Sequence, residues 1–129
     1  MTLIIVSPKG TFVNKEVEYV VVEGNQGQLA IMKNHLPVVV PINQGFIKEV
    51  LSGRELFYIL SGAILEYKDD VINVITQEIA AGENLELAKK ALEKNRLEQK
   101  QENRRKMMDF TEMEKELALN LKQIKASKL

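Results

Sequence analysis

After residue 82 the chain contains no glycine, no proline and no valine. All seven glycines, all three prolines and all twelve valines stand in residues 1–82, with ten of the eleven isoleucines. The remainder of the chain is built mainly from Leu, Ala, Glu, Lys and Gln. β-Branched side chains suit a pleated backbone, whereas unbranched ones lose little rotamer freedom in a helix. The break predicts two domains, a β domain over 1–82 and an α domain over 83–129. Charge divides at the same point. Residues 1–82 carry 6 basic and 9 acidic groups, and residues 83–129 carry 12 and 9.

Within the first part, short apolar or alternating runs are expected as strands near 3–6, 16–20, 29–32, 38–42, 45–50, 56–60, 64–67 and 71–75. Turn signals separate them: Ser7-Pro8-Lys9-Gly10, Gly24-Asn25-Gln26-Gly27, Ser52-Gly53, Ser61-Gly62 and Lys68-Asp69-Asp70. No helical stretch is long enough for a βαβ crossover. Short strands with frequent turns predict an antiparallel β-sandwich.

The second part reads as a two-helix hairpin. Asn84 suits the cap of a helix over 84–106, with Leu85, Ala88, Leu92 and Asn95 as its inner stripe. The run 98–106 has no apolar residue, so burial gives it little support and a frayed end is expected. Thr111 and Glu114 have the spacing of a capping box that opens a second helix over 111–126. Its apolar positions Met113, Leu117, Leu121 and Ile124 step by four, four and three. Met107–Thr111 is the expected hinge, where Met107, Met108, Phe110 and Met113 cluster.

Little chemistry is available for catalysis. There is no cysteine, hence no thiol nucleophile, disulfide or thiolate metal site. The single histidine, His35, lies in Lys33-Asn34-His35-Leu36-Pro37 without paired carboxylates, so a structural or contact role is expected. Gly24-Asn25-Gln26-Gly27 lacks the Lys-Ser/Thr ending of a phosphate loop. Asp69-Asp70 reads as a solvated turn; two carboxylates alone make a weak cation site. With 18 basic and 18 acidic residues there is no global attraction to nucleic acid or membrane, and the basic stretch 94–106 has no interleaved aromatic for base stacking. No signal peptide or apolar run of membrane-spanning length is present. A soluble cytoplasmic protein without metal or nucleic-acid partner is expected.

Gly24-Asn25-Gln26-Gly27-Gln28-Leu29-Ala30-Ile31-Met32-Lys33-Asn34-His35-Leu36-Pro37 resembles a characteristic segment of the epsilon subunit of bacterial F-type, proton-translocating ATP synthases. Gly27, Ile31, His35 and Pro37 match its pattern, and Ser7-Pro8-Lys9-Gly10 matches its opening. Residues 45–47, 57–66 and 71–75 resemble further family segments in the right order. Departures are Gln28 where an acidic residue is common, Ala30 for Gly and Lys33 for Pro.

The resemblance implies a non-catalytic subunit of the central stalk, peripheral on the cytoplasmic side of the cell membrane and not inserted in it. Implied partners are the gamma subunit, the ring of membrane c subunits and the alpha and beta subunits of the catalytic head. Gln28, Ala30, Met32 and His35 would meet the ring, and Arg104, Arg105 and Lys106 would meet an acidic surface of the head. The helical hairpin would regulate hydrolysis by folding back on the sandwich in one state and extending along gamma in another. In some members an Arg early in the first C-terminal helix contributes to ATP binding. Here Asn84 keeps the capping ability of the family's Asp and Ala88 matches, but Leu87 stands at the Arg position, and leucine cannot replace a charged fork toward phosphate. No cofactor is therefore expected. An unrelated β-sandwich adaptor with a helical tail is the alternative, and an enzyme ranks third.

Overall fold

The computed structural model describes residues 1–127, with side chains through Leu119. Its elements are β1 (Thr2–Ser7), β2 (Gly10–Glu16), β3 (Tyr19–Gly24), β4 (Gly27–Ile31), β5 (Val38–Leu51), β6 (Arg54–Lys68), β7 (Val71–Gly82) and α1 (Leu85–Ser127). The chain divides into two compact units, Met1–Glu93 and Lys94–Leu129. The strands pair in the order β2-β1-β7-β6-β5-β3-β4. All pairs are antiparallel except β1 with β7, where Thr2 lies opposite Val71 in parallel register. Almost the whole sheet separates these two strands in sequence, so no tight turn dictates their direction.

One sheet makes a sandwich because its three long strands change layer together. Ile42 pairs with Ala63 and Gln44 with Ser61, but Asn43 and Gly62 are skipped. Likewise Ser61 pairs with Glu78 and Ala63 with Thr76, while Gln77 is skipped. Gly62 takes the left-handed conformation, φ +64°, which glycine adopts without a Cβ penalty. Across this line the inward-facing positions change parity. In β6 they run Tyr58, Leu60, then Ala63, Leu65, Tyr67, and in β7 Ile72, Val74, Thr76, then Ile79. One layer is thus β2-β1 with the first half of β7, the second half of β6 and the first half of β5. The other is β4-β3 with the complementary halves. Leu3, Ile5, Val20, Val22, Ile31, Ile42, Ile47, Leu60, Leu65 and Ile72 from both layers form one core.

Three sequence expectations change here. The runs 38–42 with 45–50, and 56–60 with 64–67, are continuous bent strands and not separate short ones. Residues 10–16 form β2, whereas Val17 and Glu18 lie in the connection to β3. The expected two-helix hairpin is a single 43-residue helix. Its middle lacks apolar residues but is rich in Glu, Gln, Lys and Arg, whose propensity sustains a helix without burial. Glu102 and Lys106 add an i,i+4 ion pair at 3.8 Å. Thr111 does not cap a second helix; its hydroxyl donates to the Met107 carbonyl, one turn back, at 2.9 Å. The side chains of Leu121 and Ile124 lie outside the described residues.

The start of the helix agrees with its expectation. Asn84 Oδ1 accepts the Leu87 amide at 2.8 Å, and Ala88 N–H donates to the Asn84 carbonyl at 3.1 Å. Ala88 and Leu92 are buried, as are Val50 and Ala80 on the outward face of the second layer. At Gly82 a Cβ would lie 2.4 Å from the Ala88 nitrogen, so the helix backbone packs directly on the end of β7.

An ion pair joins an exposed lysine to a buried carboxylate. Lys15 Nζ of β2 donates to Glu49 Oε1 of β5 at 2.8 Å; Glu49 is buried and its Oε2 has no hydrogen-bond partner among the described residues. Burial, then the Glu49 charge, hold the Tyr58 hydroxyl far above the usual phenol range. Removing the cation strands a buried carboxylate. Lys15→Met is expected to lower the free energy of unfolding in urea by about 3 kcal/mol, and Glu49→Leu added to it to restore most of that. A loss below about 1 kcal/mol would mean that the pair behaves as a surface contact.

Candidate functional site

The two outward faces of the sandwich are treated differently. On the second layer Val50 and Ala80 are buried, and the first turns of α1 pack on the end of β7 at Gly82. The first layer is bare, and it carries an apolar row. Pro41 is opposite Ile64, Ile64 opposite Ile75, and Ile75 opposite Val6, so four side chains cross four neighbouring strands at one level. Ile64 is 58% exposed and Ile75 71%, and Val39 stands exposed beside them. Val6, Ile64 and Ile75 line a shallow trough with Pro8, Gly62, Thr76 and Gln77. Isolated exposed apolar residues are ordinary; an aligned row across a sheet marks a contact surface.

Sequence reading missed this row, although a signal existed. Val38-Val39-Val40-Pro41-Ile42 and Ala63-Ile64-Leu65 are apolar without alternation, which is the pattern of a strand covered on both faces.

The residues expected to meet the ring do come together. Gln28 and Ala30 are exposed at alternate positions along β4, which is an edge of the sheet, and Met32, just past its end, is exposed as well. Beyond them the chain turns, with Asn34 at φ +68° and the His35 amide donating to the Met32 carbonyl at 3.1 Å. His35 Nδ1 donates to the Leu36 carbonyl at 2.6 Å, and its ring meets Tyr67 edge-on at 6.0 Å. That geometry fixes the ring as part of the loop and supplies no acid–base partner. Asp69 and Asp70, both at positive φ, form the tight turn between β6 and β7 and share a small cleft with Lys33 and His35. Among the described residues no group of three or more His, Asp or Glu could hold a metal ion, and no helix is long and apolar enough to cross a membrane.

Arg104, Arg105 and Lys106 belong to the second unit and are exposed. Exposed too are Met107, Met108, Phe110, Met113 and Leu117. Asn84 and Ala88 are occupied structurally, the first as cap and the second buried.

Comparison with known proteins identifies the class. Residues 1–82 match the family of the ATP synthase delta/epsilon chain, beta-sandwich domain. The ATP synthase epsilon chain of Desulfitobacterium hafniense (strain DSM 10664 / DCB-2) is 30% identical over 99 residues, 77% of this chain and 75% of the relative. That of Janthinobacterium sp. (strain Marseille) is 28% identical over 128 residues, 98% and 91% of the two chains. Among solved structures, a chain of the Euglena gracilis mitochondrial ATP synthase (OSCP/F1/c-ring, rotational state 1) superposes with a TM-score of 0.57 at 20% identity, covering 61% of this chain and 51% of that one. A chain of the Tetrahymena thermophila mitochondrial ATP synthase central stalk/c-ring does so with 0.51 at 13% identity, covering 61% and 64%. The chain belongs to the ATP synthase epsilon-chain family, whose members are non-catalytic subunits of that complex. The adaptor and enzyme alternatives fall away.

In the region expected to bear on ATP, Asn84 engages the Leu87 amide, and Leu87 is an uncharged, half-exposed side chain that offers phosphate no donor. Equilibrium titration of the isolated chain with labelled ATP is expected to show no submillimolar binding; clear submillimolar affinity would contradict this.

Proposed function

We propose that this epsilon subunit couples rotation in a proton-translocating ATP synthase by docking its bare sandwich face on the gamma subunit and the β4 edge on the c-ring. Residues 1–82 form the docking module and residues 83–129 a regulatory segment. The observation that carries this reading is the row Pro41–Ile64–Ile75–Val6, exposed across one face of the sandwich. The central-stalk and c-ring settings of the solved relatives support it. The subunit sits on the cytoplasmic side of the cell membrane as a peripheral component.

Gln28, Ala30, Met32 and His35 supply short, uncharged contacts to the polar loops of the ring. The contact is therefore geometric and insensitive to salt. Arg104, Arg105 and Lys106 form a cationic cluster for an acidic surface of the alpha and beta subunits, and this attraction is screened as salt rises. Through it the helix regulates ATP hydrolysis.

Docking is tested with Ile64→Asp and Ile75→Asp together. Both side chains are exposed, so stability should change by no more than about 1 kcal/mol, while co-purification with gamma is lost. Retention of gamma by this folded variant would overturn the assignment of the face. Gln28→Ala with His35→Ala should leave gamma bound and weaken ATP-driven proton pumping; unchanged pumping would remove the β4 edge from the ring contact.

Regulation is tested by a chain ending at Glu93, which keeps the packed turns bearing Ala88 and Leu92. In the reconstituted complex, hydrolysis should rise by about fivefold over the full chain, the lower end of ordinary coupling between sites. Equal rates would show that the helix does not regulate.

A further inference from the structure

Three of the chain's five methionines fall within seven residues, at 107, 108 and 113. All three are exposed in the second unit: Met107 73%, Met108 68% and Met113 63%. Phe110, also exposed, lies among them. Met and Leu are nearly equal as helix formers and close in volume, so neither helix propensity nor packing selects Met at these positions. The same helix uses Leu at 85, 87, 92, 97, 117 and 119. What Met adds is a thioether that accepts an oxygen atom.

We propose that Met107, Met108 and Met113 form a reversible oxidation site that switches the apolar character of the regulatory helix. The oxidant is a peroxide. A sulfur lone pair attacks the distal peroxide oxygen, the O–O bond breaks and an S–O bond forms. The sulfide is oxidised by two electrons to the sulfoxide, and hydrogen peroxide is reduced to water. Methionine sulfoxide reductase, drawing two electrons from a thiol reductant, reverses the step. Each sulfoxide replaces a flexible apolar group with a strongly polar one, so a surface that docks by apolar contact weakens when written and recovers when erased. The consequence for hydrolysis rests on the regulatory role proposed for the helix. The modification itself does not.

The full chain is treated with graded hydrogen peroxide before assembly, and oxygen uptake is mapped on each methionine. The Met1 side chain, 1% exposed, is the internal control. Sites 107, 108 and 113 should be oxidised several-fold faster than Met1. In the reconstituted complex the oxidised chain should raise hydrolysis by about fivefold, of the order of ordinary inter-site coupling. Treatment with methionine sulfoxide reductases A and B should reverse it. Met107→Leu, Met108→Leu and Met113→Leu combined should abolish the response, read as treated against untreated protein of the same variant. Oxidation at these sites no faster than at Met1 would overturn the site. Full oxidation with unchanged hydrolysis, while the chain ending at Glu93 still raises it, would overturn the switch and leave the regulatory helix standing. If the shortened chain also had no effect, the regulatory reading and the switch would fall together. A peroxide response that survives in the triple leucine variant would also overturn the proposal.

Discussion

The left-handed turn at Gly62 is the constraint on which the sandwich depends. A seven-stranded sheet without it would present one face inward along the full length of β6. With it, the inward set changes from Tyr58 and Leu60 to Ala63, Leu65 and Tyr67. The neighbours must break at the same level, and their freed backbone groups must be satisfied. Asn25 Oδ1 accepts the Asn43 amide at 2.8 Å, and the buried Thr76 hydroxyl reaches the Ser61 and Glu78 carbonyls at 3.2 and 2.8 Å. Nearby, Gly45 lies so close to β3 that a Cβ would fall 1.9 Å from the Glu23 carbonyl oxygen. Glycines at the bend and polar side chains beside it thus turn a sheet into two layers.

Folding the sheet in this way creates two outward faces, and the proposed docking rests on their unequal treatment. One face receives the first turns of α1, anchored by the Asn84 cap and by Ala88 and Leu92. The other keeps Pro41, Ile64, Ile75 and Val6 in solvent. Covering a fully exposed Ile contributes about 2 kcal/mol, whereas association costs several kcal/mol in lost motion. The row alone therefore gives a modest affinity. Under the proposed docking, a lasting contact needs the β4 edge or other surfaces to act with it.

Much of this architecture was legible in the chain. The disappearance of Gly, Pro and Val after residue 82 marked the change from strand to helix, and Asn84 announced its cap. The segment around His35 carried the family. Other features were hidden for physical reasons. Ser61-Gly62 looks like a turn between strands, because a glycine that bends a strand and one that ends it have the same chemistry. Thr11-Phe12-Val13 was lost beside Gly10 because β2 buries one residue, Val13, and leaves almost no periodic signal. The hairpin failed at Thr111, where capping-box spacing is indistinguishable in sequence from a hydroxyl that back-bonds within a continuing helix. The outward row is invisible to any search for alternation, since it appears only when the strands are set in register.

The helix shows how a regulatory element can be built from local forces. Its first turns are fixed by burial, and from Lys94 onward its described side chains are exposed. That second part is held by propensity, backbone hydrogen bonds and side-chain pairs such as Glu102–Lys106, each contributing a few tenths of a kcal/mol or less. A helix held this way has no core to break when a partner engages it. Its local opening free energy is small, and a partner needs little differential affinity to choose among its conformations. The same weakness explains why its side chains must carry recognition. Under the proposed regulation, exposed Arg104, Arg105 and Lys106 offer attraction at range through charge, and the neighbouring exposed Met107, Phe110 and Met113 offer adaptable apolar surface for contact.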